Sequence, residues 1–145
     1  MLGPMLQAVE VEAGEDVIYQ ALTTSKGLAS FWTPQSQAEP TVGSVAVFRF
    51  TGAPVDLKMR IDGLEPSKRV AWSCQGDFPH WEGTTVTWEM SPSAQGPRIT
   101  VLFRHEGWGP DYPDMEYAHV NFTWGQIVGR VKAYCETGKP QPFLS

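Results

Sequence analysis

Basic residues are scarce in this chain. Eleven Lys and Arg stand against 16 Asp and Glu, a formal net charge of −5, and the cations are scattered along the sequence. Neutralising a phosphate ladder takes a concentrated basic face, so nucleic acid is not an expected partner. Cysteine is scarcer still. Cys74 and Cys135 lie far apart with no partner at metal-ligand spacing, which reads as a pair of buried thiols and gives no expected metal site. Long hydrophobic runs are missing, so no membrane span is expected. Met1 to Gln7 shows no basic segment leading into an apolar one, and the expected compartment is the cytoplasm. No Gly-x-Ser-x-Gly elbow, His-Glu-x-x-His, phosphate loop or dinucleotide fingerprint occurs, and no cofactor is expected.

Aromatic side chains, by contrast, are abundant. Six Trp, seven Phe and four Tyr make up 12% of 145 residues, beside 41% apolar and 19% charged residues. A chain of this length forms one domain with a real core, hiding about 70% of its unfolded surface without staples. Tryptophans in such a domain fill a core, a pocket or an interface.

Hydrophobic periodicity divides the chain into a strand, two short helices, five strands and a long helix. Residues 5–12 alternate in their second half and read as a strand. Glu15 and Asp16 open a short helix carrying Val17, Ile18, Ala21 and Leu22 on one side, and residues 27–32 read as a second. Residues 33–43 are polar, hold two prolines and read as a connection. Strands follow over 45–50, 57–62, 69–74, 84–90 and 99–104, each with period two and joined at hairpin lengths. Between Pro113 and Pro140 the period returns to 3.6, with Tyr117, Val120, Trp124, Ile127, Val128, Val131, Tyr134 and Cys135 on one side. Gly125 and Gly129 each cost this helix about 1 kcal/mol of intrinsic propensity, so it depends on docking its apolar side. The expected fold class is α+β: a curved six-stranded antiparallel sheet wrapped on a long C-terminal helix, with two short helices between strands 1 and 2. The domain spans 5–138, and 139–145 form a C-terminal tail.

This order resembles the helix-grip fold of the START-like (SRPBCC, Bet v 1-like) superfamily, and in particular single-domain bacterial proteins related to the C-terminal domain of the Hsp90 ATPase activator Aha1. The resemblance is carried by Val17–Leu22, Thr23, Leu28 and Phe31-Trp32; by Gly43, Phe48 and Phe50; and by Ile61, Glu65-Pro66 and Arg69-Val70. It continues through Thr85–Met90, Ile99–Val101 and His105-Glu106-Gly107-Trp108, then Trp124, Ile127, Val128, Val131 and Glu136-Thr137-Gly138. It implies a helix-grip fold from about Gln7 to Gly138. Aha1 itself carries an additional N-terminal domain, so Hsp90 activation is not carried over; one fold hosts many functions.

A sheet gripping one helix packs at one end and can gape at the other. The expected function is therefore to bind a small, mostly apolar or aromatic molecule, without catalysis, between sheet and helix. Its expected lining is Trp32, Phe48, Phe50, Met59, Ile61, Trp72, Trp88, Phe103, Tyr117, Val120, Asn121 and Trp124. Phe78, Trp81, Trp108 and Tyr112, on two loops, are lid candidates. Two alternatives stand beside this. A cyclase- or hydrolase-type enzyme would draw acid–base chemistry from His80 with Asp77, and an Aha1-like interaction module would use a protein surface. Met115, His119 and Phe122 lie together on the far side of the long helix and form a candidate interface, as in a homodimer.

Overall fold

Alternation along the strands decides which face of the sheet is buried. The computed structural model describes residues 2–76 and 78–144. In β1 (Met5–Val11) the two ends, Met5 and Val11, are fully buried. In β4 (Leu57–Glu65) Leu57, Met59 and Ile61 are buried while Lys58, Arg60 and Asp62 face water. The remaining strands are β2 (Gln35–Gln37), β3 (Val45–Arg49), β5 (Arg69–Gln75), β6 (Thr85–Pro92) and β7 (Ile99–Glu106). All pair antiparallel in one sheet ordered β1-β7-β6-β5-β4-β3-β2. The register of β4 against β5 shifts between Ile61 and Gly63, and a bulge of this kind bends a strand and adds twist. The sheet curls accordingly around its buried face.

The sheet has seven strands where the sequence pattern suggests six. The added one, β2, lies in the segment that reads as a polar connection. Three residues (Gln-Ser-Gln) carry no hydrophobic alternation, so backbone pairing with β3 and local hydrogen bonds define the strand instead. Ser36 is buried and its hydroxyl donates to the Thr33 carbonyl at 2.7 Å, while the Thr33 hydroxyl donates to the Arg49 carbonyl at 2.8 Å.

Two short helices, α1 (Glu15–Thr23) and α2 (Ser25–Phe31), follow β1. The Thr24 side chain accepts the Gly27 N–H at 3.0 Å and caps α2, satisfying one of its orphan donors. Gly27 sits so close to the Ala21 backbone that a Cβ would collide with it, which is what permits so tight a turn between the two helices. The long helix, α3 (Asp114–Thr137), has 24 residues with Asp114 and Glu116 in its first turn. It ends at Gly138, whose left-handed φ of 72° directs its N–H to the Tyr134 carbonyl at 2.7 Å.

Packing anchors α3 against the sheet, burying Trp124, Ile127, Val128, Val131 and Cys135. It also lies along β1. The Gln7 side-chain amide donates to the Asn121 backbone carbonyl at 3.0 Å and to its side-chain oxygen at 2.9 Å. A Cβ on Gly125 would stand 3.2 Å from the Gln7 side chain, so the glycine lets the two elements approach. Near the other end the Glu136 carboxylate accepts the Glu12 N–H at 2.8 Å and is held below its ordinary pKa, first by that bond and then by Lys132.

Residues 139–144 return along the end of α2. The N–H groups of Gln141, Phe143 and Leu144 donate to the carbonyls of Ser30, Phe31 and Trp32 at 2.8, 3.1 and 2.8 Å. Those carbonyls end a helix and have no intrahelical partners, so the segment satisfies them while bringing Phe143 against the core. Among the described residues no helix is long and apolar enough to cross a membrane.

Candidate functional site: a cleft between α3 and the open end of the sheet

Through the middle of the molecule, the strand-borne aromatics meet α3 and fill the space. Phe103 packs on Trp124 with ring centroids 4.4 Å apart, Trp88 on Phe103 at 4.8 Å, and Trp72 on Trp88 at 6.0 Å. Trp32, at the end of α2, packs on Phe48 at 4.4 Å and Trp124 at 5.2 Å. Beyond Trp32 and Trp124 the sheet and helix diverge, leaving a cleft of about 500 Å³. One wall is Trp32, Phe50 and Leu57 with Phe143 and Leu144 from the returning C-terminal segment. A second wall is Phe78, Pro79, Trp81 and Tyr112 from two loops, joined to the first where Phe78 meets Phe50 edge to face at 6.0 Å. The third is a stripe of α3, Glu116, His119, Val120, Thr123, Trp124 and Ile127, spaced three and four residues apart as one side of a helix must be.

Most of this surface is carbon. Polar groups come chiefly from α3, where Glu116 and His119 are exposed at the mouth and Thr123 is half-buried. A cleft of this size with aromatic walls and a few polar groups on one side suits a small, flat, largely apolar molecule that has a hydrogen-bonding edge.

The loop wall is held by a buried histidine. His105 is fully buried on β7, and its ring lies 4.2 Å from that of Trp108, 4.7 Å from Trp81 and 5.9 Å from Trp124. The Trp124 indole N–H donates to Nδ1 at 3.1 Å. An indole nitrogen can only donate, so Nδ1 is the bare nitrogen and Nε2 carries the proton. Nε2 then donates to the Thr84 hydroxyl at 2.8 Å, which donates on to the Trp81 carbonyl at 2.6 Å. The chain Trp124–His105–Thr84–Trp81 thus joins two cleft-lining tryptophans through a neutral imidazole. Burial pushes the His105 pKa down to about 3, since desolvation penalises the charged ring. Trp108 donates its indole N–H to the His105 carbonyl at 3.2 Å and stacks on Tyr112 at 4.3 Å with planes 9° apart.

The expected site residues divide into those that reach the cleft and those that do not. Trp32, Phe50, Val120 and Trp124 line it, as do Phe78, Trp81 and Tyr112 from the lid candidates. Trp108 lies behind Tyr112, only 4% exposed. Phe48, Met59, Ile61, Trp72, Trp88 and Phe103 face inward but are core, because their neighbours on adjacent strands and α3 leave no space over them. Among the described residues the indole N–H groups of Trp72 and Trp88 have no hydrogen-bond partner. Tyr117 and Asn121 sit on the β1 side of α3, where the Tyr117 hydroxyl donates to the Gly3 carbonyl at 3.0 Å and Asn121 accepts from Gln7. His119, expected at an interface, instead edges the cleft, whereas Met115 and Phe122 are 67% and 69% exposed. His80 is exposed in a left-handed conformation (φ 68°), its ring 5.6 Å from Tyr112 and not part of the lining. Asp77 falls outside the described residues. Cys74 and Cys135 are free and buried, and desolvation pushes their thiols up to about 11 and about 12.

Sequence reasoning missed Leu57, Glu116, Thr123, Ile127, Phe143 and Leu144 as cleft residues. The spacing of Glu116, Val120, Thr123 and Ile127 along one helix side is a usable signal. For Phe143-Leu144 the only cue is an apolar pair following Pro140 and Pro142.

Residues 12–136 match the family model described as activator of Hsp90 ATPase homolog 1-like protein. The chain belongs to that family. No curated protein sequence matches it significantly. Among solved structures it is similar to the Aha1 dimer from Colwellia psychrerythraea, at 31% identity and a TM-score of 0.83 over 96% of this chain and 99% of that one. It is also similar to DynU16, a protein of the dynemicin biosynthetic locus, at 26% identity and a TM-score of 0.77, covering 99% of this chain and 51% of that one. A third, SSP2350 from Staphylococcus saprophyticus, has 14% identity, a TM-score of 0.76 and 95% coverage of both chains, a likeness of fold.

Proposed function

We propose that this protein binds one small, mostly apolar or aromatic molecule in the cleft between α3 and the open end of the sheet, and that it acts as a carrier or sensor without catalysis, in the cytoplasm. The observation that carries this reading is the roughly 500 Å³ space walled by Trp32, Phe50, Phe78, Trp81, Tyr112, Trp124 and Phe143. Flat aromatic walls exclude water and reward a flat guest through area burial and ring stacking, each stacked pair adding about 0.5–1.5 kcal/mol beyond the area term. The groups at the α3 edge, Glu116, His119 and Thr123, would orient the guest by hydrogen bonds. The chain Trp124–His105–Thr84–Trp81 keeps two of the walls in place before a guest arrives, which lowers the ordering cost of binding.

Native mass spectrometry of the protein purified from its own host tests this reading. The expected result is a bound small molecule, released on denaturation and absent from a variant whose cleft is blocked by Thr123→Trp. Recovery of the protein free of any small molecule, together with failure to take one up from a host extract, would count against it.

The Colwellia relative, similar over nearly its full length, is a dimer. On that likeness we also propose that this chain pairs with a second copy of itself.

A further inference from the structure

The solvent-facing side of α3 does not look like a surface helix. The outer face of a helix lying on a sheet ordinarily carries charged residues, yet here Met115, Ala118, Phe122, Gln126, Gly129 and Ala133 share that face, and its one charge, Glu136, stands at the C-terminal end, held by the Glu12 N–H and Lys132. Met115 and Phe122 are 67% and 69% exposed, the largest exposures among the big hydrophobic side chains. Depletion of charge with Phe and Met projecting is the composition of an interface centre.

The spacing says what fits there. Met115, Ala118, Phe122, Gly125 and Gly129 follow at intervals of three and four, the seam of two paired helices. Phe122 projects while Ala118, Gly125 and Gly129 leave hollows; Phe122 itself borders a groove with Ala118, Gly125 and Gln126. Gly125 is explained by its contact with Gln7, but a Cβ on Gly129 would meet nothing within 4 Å, so nothing in the monomer requires a glycine there. A knob and hollows on one helix are self-complementary, and a two-fold axis can satisfy both at once.

Charge sets the direction. The flanks of the face carry Asp114 and Glu116 at the beginning of α3, and Arg130 and Lys132 in its second half. Side by side in the same direction, two such helices place acid against acid. Run antiparallel with Phe122 beside the axis, they bring the acidic first turn of each helix, Asp114 and Glu116, level with the partner's second half, where Arg130 and Lys132 add positive charge while also holding the Gln141 carbonyl and the Glu136 carboxylate of their own chain, and the helix dipoles oppose favourably. We infer that the outer face of α3 is a homodimer interface, formed by antiparallel pairing with α3 of a second copy around Phe122. The inference rests on the pairing proposed above and adds its location. It also sets the second copy beside His119, at the edge of the cleft. One helix per copy is a small contact surface, so monomer and dimer exchange with concentration.

Sedimentation equilibrium of the full chain over a wide concentration range tests the inference with Phe122→Glu, a substitution at an exposed position that leaves the monomer core untouched. The expected result is a concentration-dependent dimer whose dissociation constant rises at least tenfold in Phe122→Glu and is unchanged in Val42→Glu, a control at another exposed apolar side chain. In the same molecule Phe122→Cys should cross-link to itself with a short bismaleimide, the native thiols being buried, while Val42→Cys should not. A wild-type dimer that Phe122→Glu leaves intact, or that Phe122→Cys does not cross-link, overturns the interface and leaves self-association standing. A wild-type chain monomeric even at millimolar protein overturns both.

Discussion

His105 shows most clearly how one residue couples the core to the cleft. It is neutral in the folded protein, with a pKa lowered to about 3 from an ordinary 6.5, so below pH 6.5 the unfolded chain binds a proton that the native one refuses. Stability from this residue is fully present above pH 6.5 and falls as the pH drops from 6.5 towards 3, by up to about 1.4 kcal/mol per unit. Glu136, whose pKa is lowered from 4.5, contributes stability above 4.5 and loses it below, so the interval from 4.5 to 6.5 isolates the histidine. Urea unfolding across that interval should show the wild type weakening with acid and His105→Gln nearly flat. Equal slopes in the two proteins would remove His105 from this account. The residue was legible in the sequence only as one of those carrying the family resemblance; its link to Trp124 and Trp81 joins three segments that no local pattern connects.

At the scale of elements, the strands and α3 were readable because each has one wet and one dry side. What escaped was β2, specified by backbone pairing and two hydroxyls, and the angular setting of α3. A wheel centred on the largest apolar residues places Tyr117 and Asn121 in the cleft, but Gln7 and the Gly3 carbonyl hold them against β1 and turn Glu116, His119 and Thr123 towards the opening. Glycine shows the same dependence on context. Gly27 and Gly129 are both helical, yet a Cβ on the first collides with the Ala21 backbone and on the second meets nothing within 4 Å. Gly27→Ala should destabilise by about 1–3 kcal/mol through overpacking. Gly129→Ala should stabilise by about 0.5–1 kcal/mol through helix propensity. Thermal denaturation of dilute, monomeric protein reads both, and a shared sign would contradict these placements.

For the whole molecule, the sequence pattern supported the sheet-and-helix grip but spread the cavity over the entire inward face. Packing density explains the difference. Phe103 and Trp88 meet Trp124 of α3 directly, while Phe48 and Trp72 fill the space beside them against Trp32 and Trp88, so the middle closes and space survives only where the loops and the returning segment with Phe143 and Leu144 form walls. The central claim is that this space accepts a guest. Titration with a neutral fluorescent apolar probe, N-phenyl-1-naphthylamine, tests it most directly, with wild type and Thr123→Trp compared at equal folded stability. Saturable one-to-one binding with enhanced probe emission and quenched tryptophan fluorescence is expected in the wild type, weakened at least tenfold in the variant. No saturable binding by the wild type, or binding that Thr123→Trp leaves unchanged, would contradict it.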